Sequence, residues 1–271
     1  MRGRRLGLLW LGVVMLAAGC SSTPATNASS SAPPTAKTFT GLPQVGALFA
    51  GAVQGGVHLC TASVVDSPGR NLLITAAHCV YGAGSSLVFA PGYHDGSAPF
   101  GAWNVESAYV SPRWLTDQDP QSDFAFLVVA AQQRSGRTTN VEDVVGADRL
   151  VVSRGFHVRA TVVGYPLATD SPIECSNQTY EHLGFPAFDC AGYVDGTSGG
   201  PWITDLDPRT HQGDVYGVIG GLHQGGCTSQ VSYSSYFASG IQAVYTEATQ
   251  GGPGDFVPSA GSDGCPGPAG S

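Results

Sequence analysis

Three short stretches carry side chains that could do chemistry together: TAAHC at residues 75–79, SDFAFL at 122–127 and GTSGGPW at 196–202. They contribute an imidazole on His78, a carboxylate on Asp123 and a hydroxyl on Ser198. A serine hydroxyl is a poor nucleophile until a base removes its proton, and imidazole is the side chain best matched to that task near neutral pH. The surroundings of Ser198 favour a serine that is held still. A flexible linker has no use for Pro201 and Trp202, and a helix does not tolerate Gly196, Gly199 and Gly200 together. The stretch predicts a tight turn running into a strand, PWITDL. Taken singly, Asp123 reads as a turn or strand-start carboxylate and His78 as a core histidine; the three together point to nucleophilic catalysis.

The elements that must position these residues are strands. Gly (38) and Pro (18) are abundant among 271 residues, charge is sparse, and long amphipathic helical patterns are absent, which favours an all-β protein with many turns. Six apolar or alternating runs lie between residues 41 and 130: VGALFAG, VHLCTASVV, NLLITAA, SLVFAPG, WNVESAYVS and DFAFLVVA. Residues 131–153 read as a crossover. A second six follow: HVRATVVGYP, IECSNQTYEH, AFDCAGYV, PWITDL, VYGVIGGLH and SYSSYFA. Two groups of six suggest two small antiparallel barrels or sandwiches, because closing a sheet removes its edges. SGIQAVYTEAT (239–249) predicts a short terminal helix with Ser239 as its cap and Ile241, Val244 and Tyr245 as its apolar stripe. The Gly/Pro-rich tail, residues 251–271, is expected to be loose.

The three blocks resemble the catalytic blocks of the chymotrypsin/trypsin family of serine peptidases, in that family's chain order of His78, Asp123 and Ser198. The resemblance covers about residues 41–250. It implies an all-β fold of two six-stranded antiparallel Greek-key barrels and a short C-terminal helix, with His78 and Asp123 in residues 41–153 and Ser198 in residues 154–250. It further implies that Ser198 forms an acyl-enzyme, that His78 takes and returns the proton, and that Asp123 fixes the His78 tautomer and stabilises the imidazolium. The N–H groups of Gly196 and Ser198 would form the oxyanion hole, where a side chain at position 196 would crowd the developing charge. Gly199 and Gly200 would let the chain pass closely into the next strand. The implied function is a serine endopeptidase acting on peptides or proteins. Two alternatives stand beside it: an esterase using the same triad, and a binding module that has kept the fold without catalysis, against which the intact triad argues.

The same resemblance matches Cys60 and Cys79 to the family's bridge behind the catalytic histidine. Cys175 and Cys190 lie in neighbouring strand candidates; Cys227 and Cys265 remain for each other, with a free or intermolecular thiol as the alternative. The specificity pocket departs from trypsin. The family's Lys/Arg-selecting aspartate lies six residues before the serine, where this chain has Gly192. The strand GVIGGLHQGG (217–226) lacks the family's usual serine and resembles the IHWGG-type segment of glutamyl endopeptidases, in which a histidine binds the substrate carboxylate. His223 could take that part or be an ordinary strand residue, and Asp195 near the pocket lip would repel an acidic side chain. Gly192, Asp195, His223 and Gly225 are thus the candidate pocket residues. His58, His94, His157, His182 and His211 show no partner pattern and read as surface or strand residues. Family zymogens free an Ile-Val-Gly-Gly amine that pairs with an aspartate just before the serine. Here Thr197 stands in that place and no IVGG precedes the first strand, so no proteolytic activation is expected.

The ends of the chain speak to location. MRGRR followed by LGLLWLGVVMLAA reads as a secretory signal over residues 1–19, and LAAGC (16–20) resembles a bacterial lipobox with Cys20 as the lipidated residue. Residues 20–40, rich in Ser, Thr, Ala and Pro, read as a disordered tether. The implied location is the outer face of a bacterial membrane, held through Cys20, or the medium. The other six cysteines contain no CxxC and fit disulfides in an exported chain. Net charge is −8, and Lys37 is the only lysine left beyond the signal. That leaves no basic stripe for nucleic acid. No cofactor or metal motif is present, and a monomer is expected.

Overall fold

The computed structural model describes residues 32–53, 57–167 and 169–266. The expected signal, Cys20, the tether up to residue 31 and the last residues of the tail lie outside the described residues. A two-residue strand, β1 (Lys37–Thr38), comes first. The six N-terminal runs become β2 (Val45–Ala50), β3 (His58–Val65), β4 (Leu72–Thr75), β5 (Leu87–Pro91), β6 (Trp103–Val110) and β7 (Ala125–Val129). They close into an antiparallel barrel in the order β2-β3-β4-β7-β6-β5. Successive side chains of a strand point to opposite faces, and here both faces are buried. Leu127 and Val129 of β7 pack inside the barrel with Trp103 and Leu73, while Phe126 joins a second core with Val163, Ile203 and Val218. This is why the runs read as near-continuous apolar segments.

Between β6 and β7 lies α1 (Pro112–Asp117), capped by Ser111 Oγ accepting from Arg113 N at 3.3 Å and started by proline at its first turn. The crossover holds a hairpin of β8 (Gln132–Arg134) and β9 (Arg137–Thr139), then α2 (Val141–Val145). The C-terminal half forms β10 (Arg149–Leu150), β11 (Arg159–Gly164), β12 (Ile173–His182), β13 (Phe185–Asp189), β14 (Pro201–Thr204), β15 (Asp214–Val218) and β16 (Val231–Tyr233). These hydrogen-bond in the order β10-β15-β14-β11-β12-β13-β16 around a core of Phe188, Trp202 and Tyr216. The ends of this second sheet meet without a ladder, through Val218 N donating to Ser234 Oγ (3.0 Å) and Gly220 N to Tyr233 O (3.0 Å). All sixteen strands belong to one unit, Pro33–Ser271.

Three expectations about the ends need correction. The tether reading ran to Thr40, but Lys37 and Thr38 pair with Glu174 and Ile173 of β12. A polar composition does not prevent backbone groups from completing a sheet edge. The tail after Gly251 is also anchored: Asp255 N donates to Ala108 O (2.7 Å), fully buried Val257 exchanges hydrogen bonds with Gly82, and Cys265 is bonded to Cys227. The last helix, α3 (Ser239–Gln250), begins at its expected cap, so Ala238 holds the cap position and Ser239 is the first helical residue. Its buried stripe is Ile241, Val244 and Ala248; half-buried Tyr245 lies edge-on to Phe126 at 5.7 Å.

Candidate active site

His78 sits in the 3-10 turn Ala77–Cys79 directly after β4, and the Cys60–Cys79 disulfide ties that turn to β3. Asp123 follows a second 3-10 turn, Pro120–Ser122, whose cap Asp119 accepts from Gln121 N at 3.0 Å. The Asp123 side chain is fully excluded from water. Three donors converge on its carboxylate. His78 N reaches Oδ1 at 2.9 Å, while His78 Nδ1 and Gly221 N each reach Oδ2 at 2.8 Å. A carboxylate facing Nδ1 keeps the proton there, which leaves Nε2 with its lone pair. Ser235 Oγ accepts from Asp123 N (3.1 Å) and donates to Pro120 O (2.8 Å), locking the turn from behind.

Ser198 is brought to this pair by its neighbours. Gly199 has φ +78°, and a Cβ there would collide with Thr75 Oγ1 and the Thr61 carbonyl, so the serine loop and the TAAHC segment meet at this residue. The Ser198 carbonyl accepts from Thr61 N at 2.7 Å, and Gly199 N donates to Ile219 O at 2.7 Å. Just beyond Ile219, a Cβ on Gly220 would stand 3.1 Å from Asp123 Oδ2. Among the described residues Ser198 Oγ takes part in no hydrogen bond within 3.5 Å.

The backbone donors around the serine divide cleanly. Thr197 N is used by Val194 O (3.1 Å), Gly199 N by Ile219 O and Gly200 N by Thr197 O (2.9 Å). Among the described residues the N–H groups of Gly196 and Ser198 have no acceptor. The backbone itself also requires Gly196: φ is +91°, and a Cβ would lie 2.6 Å from the Tyr165 carbonyl. The loop is ordered without a charged pair. Thr197 Oγ1 donates to Val194 O (2.7 Å), the Cys175–Cys190 bridge holds its base, and residues 34–36 lie alongside, with Ala36 N on Ala191 O (2.8 Å) and Ala191 N on Pro34 O (2.7 Å).

Ser198 opens onto a cleft of about 470 Å³. Of the four candidate pocket residues, Asp195 and Gly225 line it. Gly192 and His223 do not. Gly192 faces Ala36, where an added Cβ would lie 3.4 Å from that side chain. β15 stops at Val218, and His223 and Gln224 both adopt left-handed backbone angles (φ 54° and 51°) that turn the chain out of strand geometry. His223 Nδ1 then meets Asp263 O at 2.9 Å. Ile219, in the GVIGGLHQGG segment expected to line the pocket, contributes to the wall. Leu167, Thr228, Ser229 and Ser232, which the sequence did not point to, line it as well; the signal for the last three was proximity to Cys227 and to the strand candidate SYSSYFA. Of the other histidines, His58 is a strand residue, the first of β3, and is buried beside Phe49, Tyr93 and Tyr165, with Nε2 on Thr169 O at 3.0 Å. Two clusters with metal-ligand residue types, Cys60/His78/Cys79 and His223/Cys227/Cys265, have their sulfurs in disulfides and offer no thiolate. All three cysteine pairs follow the expected pattern.

A closed six-stranded barrel, a second sheet system and a C-terminal helix define a chymotrypsin-like fold, the class of the serine peptidases. The structure is similar to the protease Anisep from Arthrobacter nicotinovorans, at 24% identity and a TM-score of 0.67 over 80% of this chain and all of that one. It is similar to a thermostable serine protease, AL20, from an extremophilic microorganism, at 26% identity and a TM-score of 0.64 over 77% of this chain and 97% of that one. A Glu endopeptidase shares the fold at 19% identity and a TM-score of 0.57 over 82% of this chain and 99% of that one. No curated protein sequence matches the chain. Residues 43–241 match the trypsin family, and the chain belongs to that family. The fold and family support a serine peptidase with peptide or protein substrates.

Proposed function

We propose that the protein is a serine endopeptidase that hydrolyses peptide bonds through an acyl-enzyme on Ser198. The observation that carries this reading is the fully buried Asp123 carboxylate gripping His78 Nδ1 at 2.8 Å, which leaves Nε2 as a base next to the serine loop. His78 Nε2 takes the Ser198 proton as Oγ attacks the carbonyl carbon, and Asp123 stabilises the imidazolium so formed. The oxyanion is received by the idle N–H groups of Gly196 and Ser198. His78 then protonates the leaving amine. Water, activated by the same imidazole, cleaves the ester and restores the serine. Among the described residues the cleft wall carries no cation, and its one charged residue, Asp195, is exposed at the rim. Acidic residues before the cleaved bond are therefore disfavoured, which sets aside the glutamyl reading of His223. Export and anchoring through Cys20 complete the proposal and rest on the LAAGC signal.

The test is labelling with a serine-directed fluorophosphonate. The expected result is one mass addition on Ser198, lost in Ser198→Ala, with peptide turnover that disappears in the same variant. Ester hydrolysis without peptide hydrolysis would favour the esterase. No labelling of the folded protein would favour a binding module.

A further inference from the structure

The segment after α3 does more than end the chain. It first runs along the N-terminal barrel, with Tyr109 Oη donating to Gly252 O (2.6 Å) and Val257 paired with Gly82. It then crosses the end of α1: Gln118 Nε2 donates to Ser259 O (2.7 Å), and Gly261 N donates back to Gln118 Oε1 (2.6 Å). Next it reaches the turn Leu222–Gly225 that follows β15, where Gln224 Nε2 donates to Gly261 O (2.9 Å) and His223 Nδ1 to Asp263 O (2.9 Å). It ends at Cys265, bonded to Cys227, a residue of the Ser198 cleft wall. Residues 259–265 thus bridge from the barrel that holds His78 and Asp123 to the half that holds Ser198, and are fixed covalently at the far end. Their side chains are not fully buried, so the disulfide and a handful of exposed hydrogen bonds hold them there.

Beneath this bridge is a space of about 210 Å³ bounded by Trp114, Gln118, Gly221, His223, Ser262 and Asp263. Gln224 borders both this space and the Ser198 cleft. Gly221, on its floor, bonds the Asp123 carboxylate. The space thus adjoins the Ser198 cleft at Gln224, and the tail residues Ser262 and Asp263 roof it. Its volume equals a cube about 6 Å on edge, less than two residues of extended chain at about 3.3 Å each.

We propose, on the footing of the peptidase reading, that residues 259–265 form a strap that closes this end of the cleft and limits how many substrate residues can precede the scissile bond. The residue before that bond enters the Ser198 cleft, the chain ahead of it runs into the roofed space, and the strap blocks anything longer. The leaving side of the substrate lies toward His78 and is not covered by the strap. The enzyme then prefers bonds near the N-terminus of a peptide or in short fragments, and long loops of folded proteins are poor substrates.

The experiment compares kcat/KM for amide substrates with one, two, four and six residues before the bond, sharing one cleaved residue and one leaving group. A second series is lengthened after the bond. Three proteins are used: the full chain, Cys265→Ser, and a chain ending at Pro258, which keeps the buried Val257 contact. Fluorophosphonate labelling reports the serine in each. For the full chain we expect a fall of at least tenfold between two and four residues in the first series, none in the second, and loss of that fall in at least one strap variant. A full chain indifferent to length, a fall confined to the second series, or a fall that persists in both variants would overturn the strap while leaving the labelled serine, and so the peptidase, intact. Failure of all three proteins to label would overturn the peptidase reading and the strap with it.

Discussion

Asp148 makes the most quantitative prediction. It lies where Val65 of β3 meets the crossover and its side chain is fully buried. Oδ1 accepts from Gln44 Nε2 (3.0 Å) and Gly213 N (2.8 Å), and Gln44 Nε2 also contacts His211 O. Two buried acceptors are left over: Asp148 Oδ2 and Gln44 Oε1. They belong to two groups already joined by one hydrogen bond, and a proton on Oδ2 would turn that orphaned acceptor into a donor. Burial, with a smaller push from Asp214, raises the Asp148 pKa from 3.8 to about 7. The sign follows directly: between those values the native state holds a proton that the unfolded state has released, so stability falls as pH rises through about 7. The linkage relation gives a loss of about 2–3 kcal/mol between pH 5 and pH 8 from this one group. For a domain of this size that is about 5–10 °C in Tm.

Asp148→Asn keeps the shape, replaces the acid proton with an amide proton and cannot titrate. The wild type and the variant should therefore differ in how much stability each gains on going from pH 8 to pH 5, by about 2–3 kcal/mol in favour of the wild type. Every group that titrates alike in both proteins cancels. The assay is urea unfolding at the two pH values, followed by tryptophan fluorescence and by circular dichroism, whose agreement tests for a two-state transition. Parallel pH dependence in the two proteins would refute the reasoning, because it would mean that the native state keeps Asp148 ionised and tolerates two orphaned acceptors.

Four other outcomes are expected. Asp123→Asn should leave the fold unchanged and lower kcat by about 10⁴, because an amide cannot hold the Nδ1 proton that leaves Nε2 basic; steady-state kinetics on a short peptide checks this. A protein beginning at Phe39 loses the Ala36–Ala191 contact and β1, so a smaller fraction of it should titrate with an active-site probe than of one beginning at Pro33. Two different uncleavable extensions ahead of Pro33 should titrate alike as purified, whereas activity that appeared only after trimming to one new N-terminus would show that a free amine is needed. Cys20→Ser should move the protein from the membrane to the soluble fraction or block its processing, because stable anchoring takes at least two acyl chains; fractionation and intact mass read this out.

The parts of this protein that were legible in its sequence are those whose constraints are local. TAAHC and GTSGGPW could be read because a turn that presents an imidazole or a hydroxyl fixes the residues on either side of it, down to the collision that forbids a Cβ at position 199. The strands of the N-terminal barrel could be read because their faces supply two adjoining cores, so most of those runs are apolar over much of their length. The cleft is different. Its far wall is set by hydrogen bonds between segments distant in sequence, Gly192 N to Ser229 O (2.8 Å) and Cys190 N to Gln230 O (3.0 Å), and no periodicity encodes which residues those bonds bring face to face. The strand reading of His223 fails for a related reason: two left-handed residues in succession end strand geometry without changing composition. Composition also misjudged the two ends of the chain, because a backbone N–H that completes an edge at Ala191 or Ala108 leaves no mark on side-chain chemistry. The contacts that sequence reports least well are thus those that line the cleft and close over it. Substrate choice in a fold that many peptidases share is settled by those contacts more than by the triad.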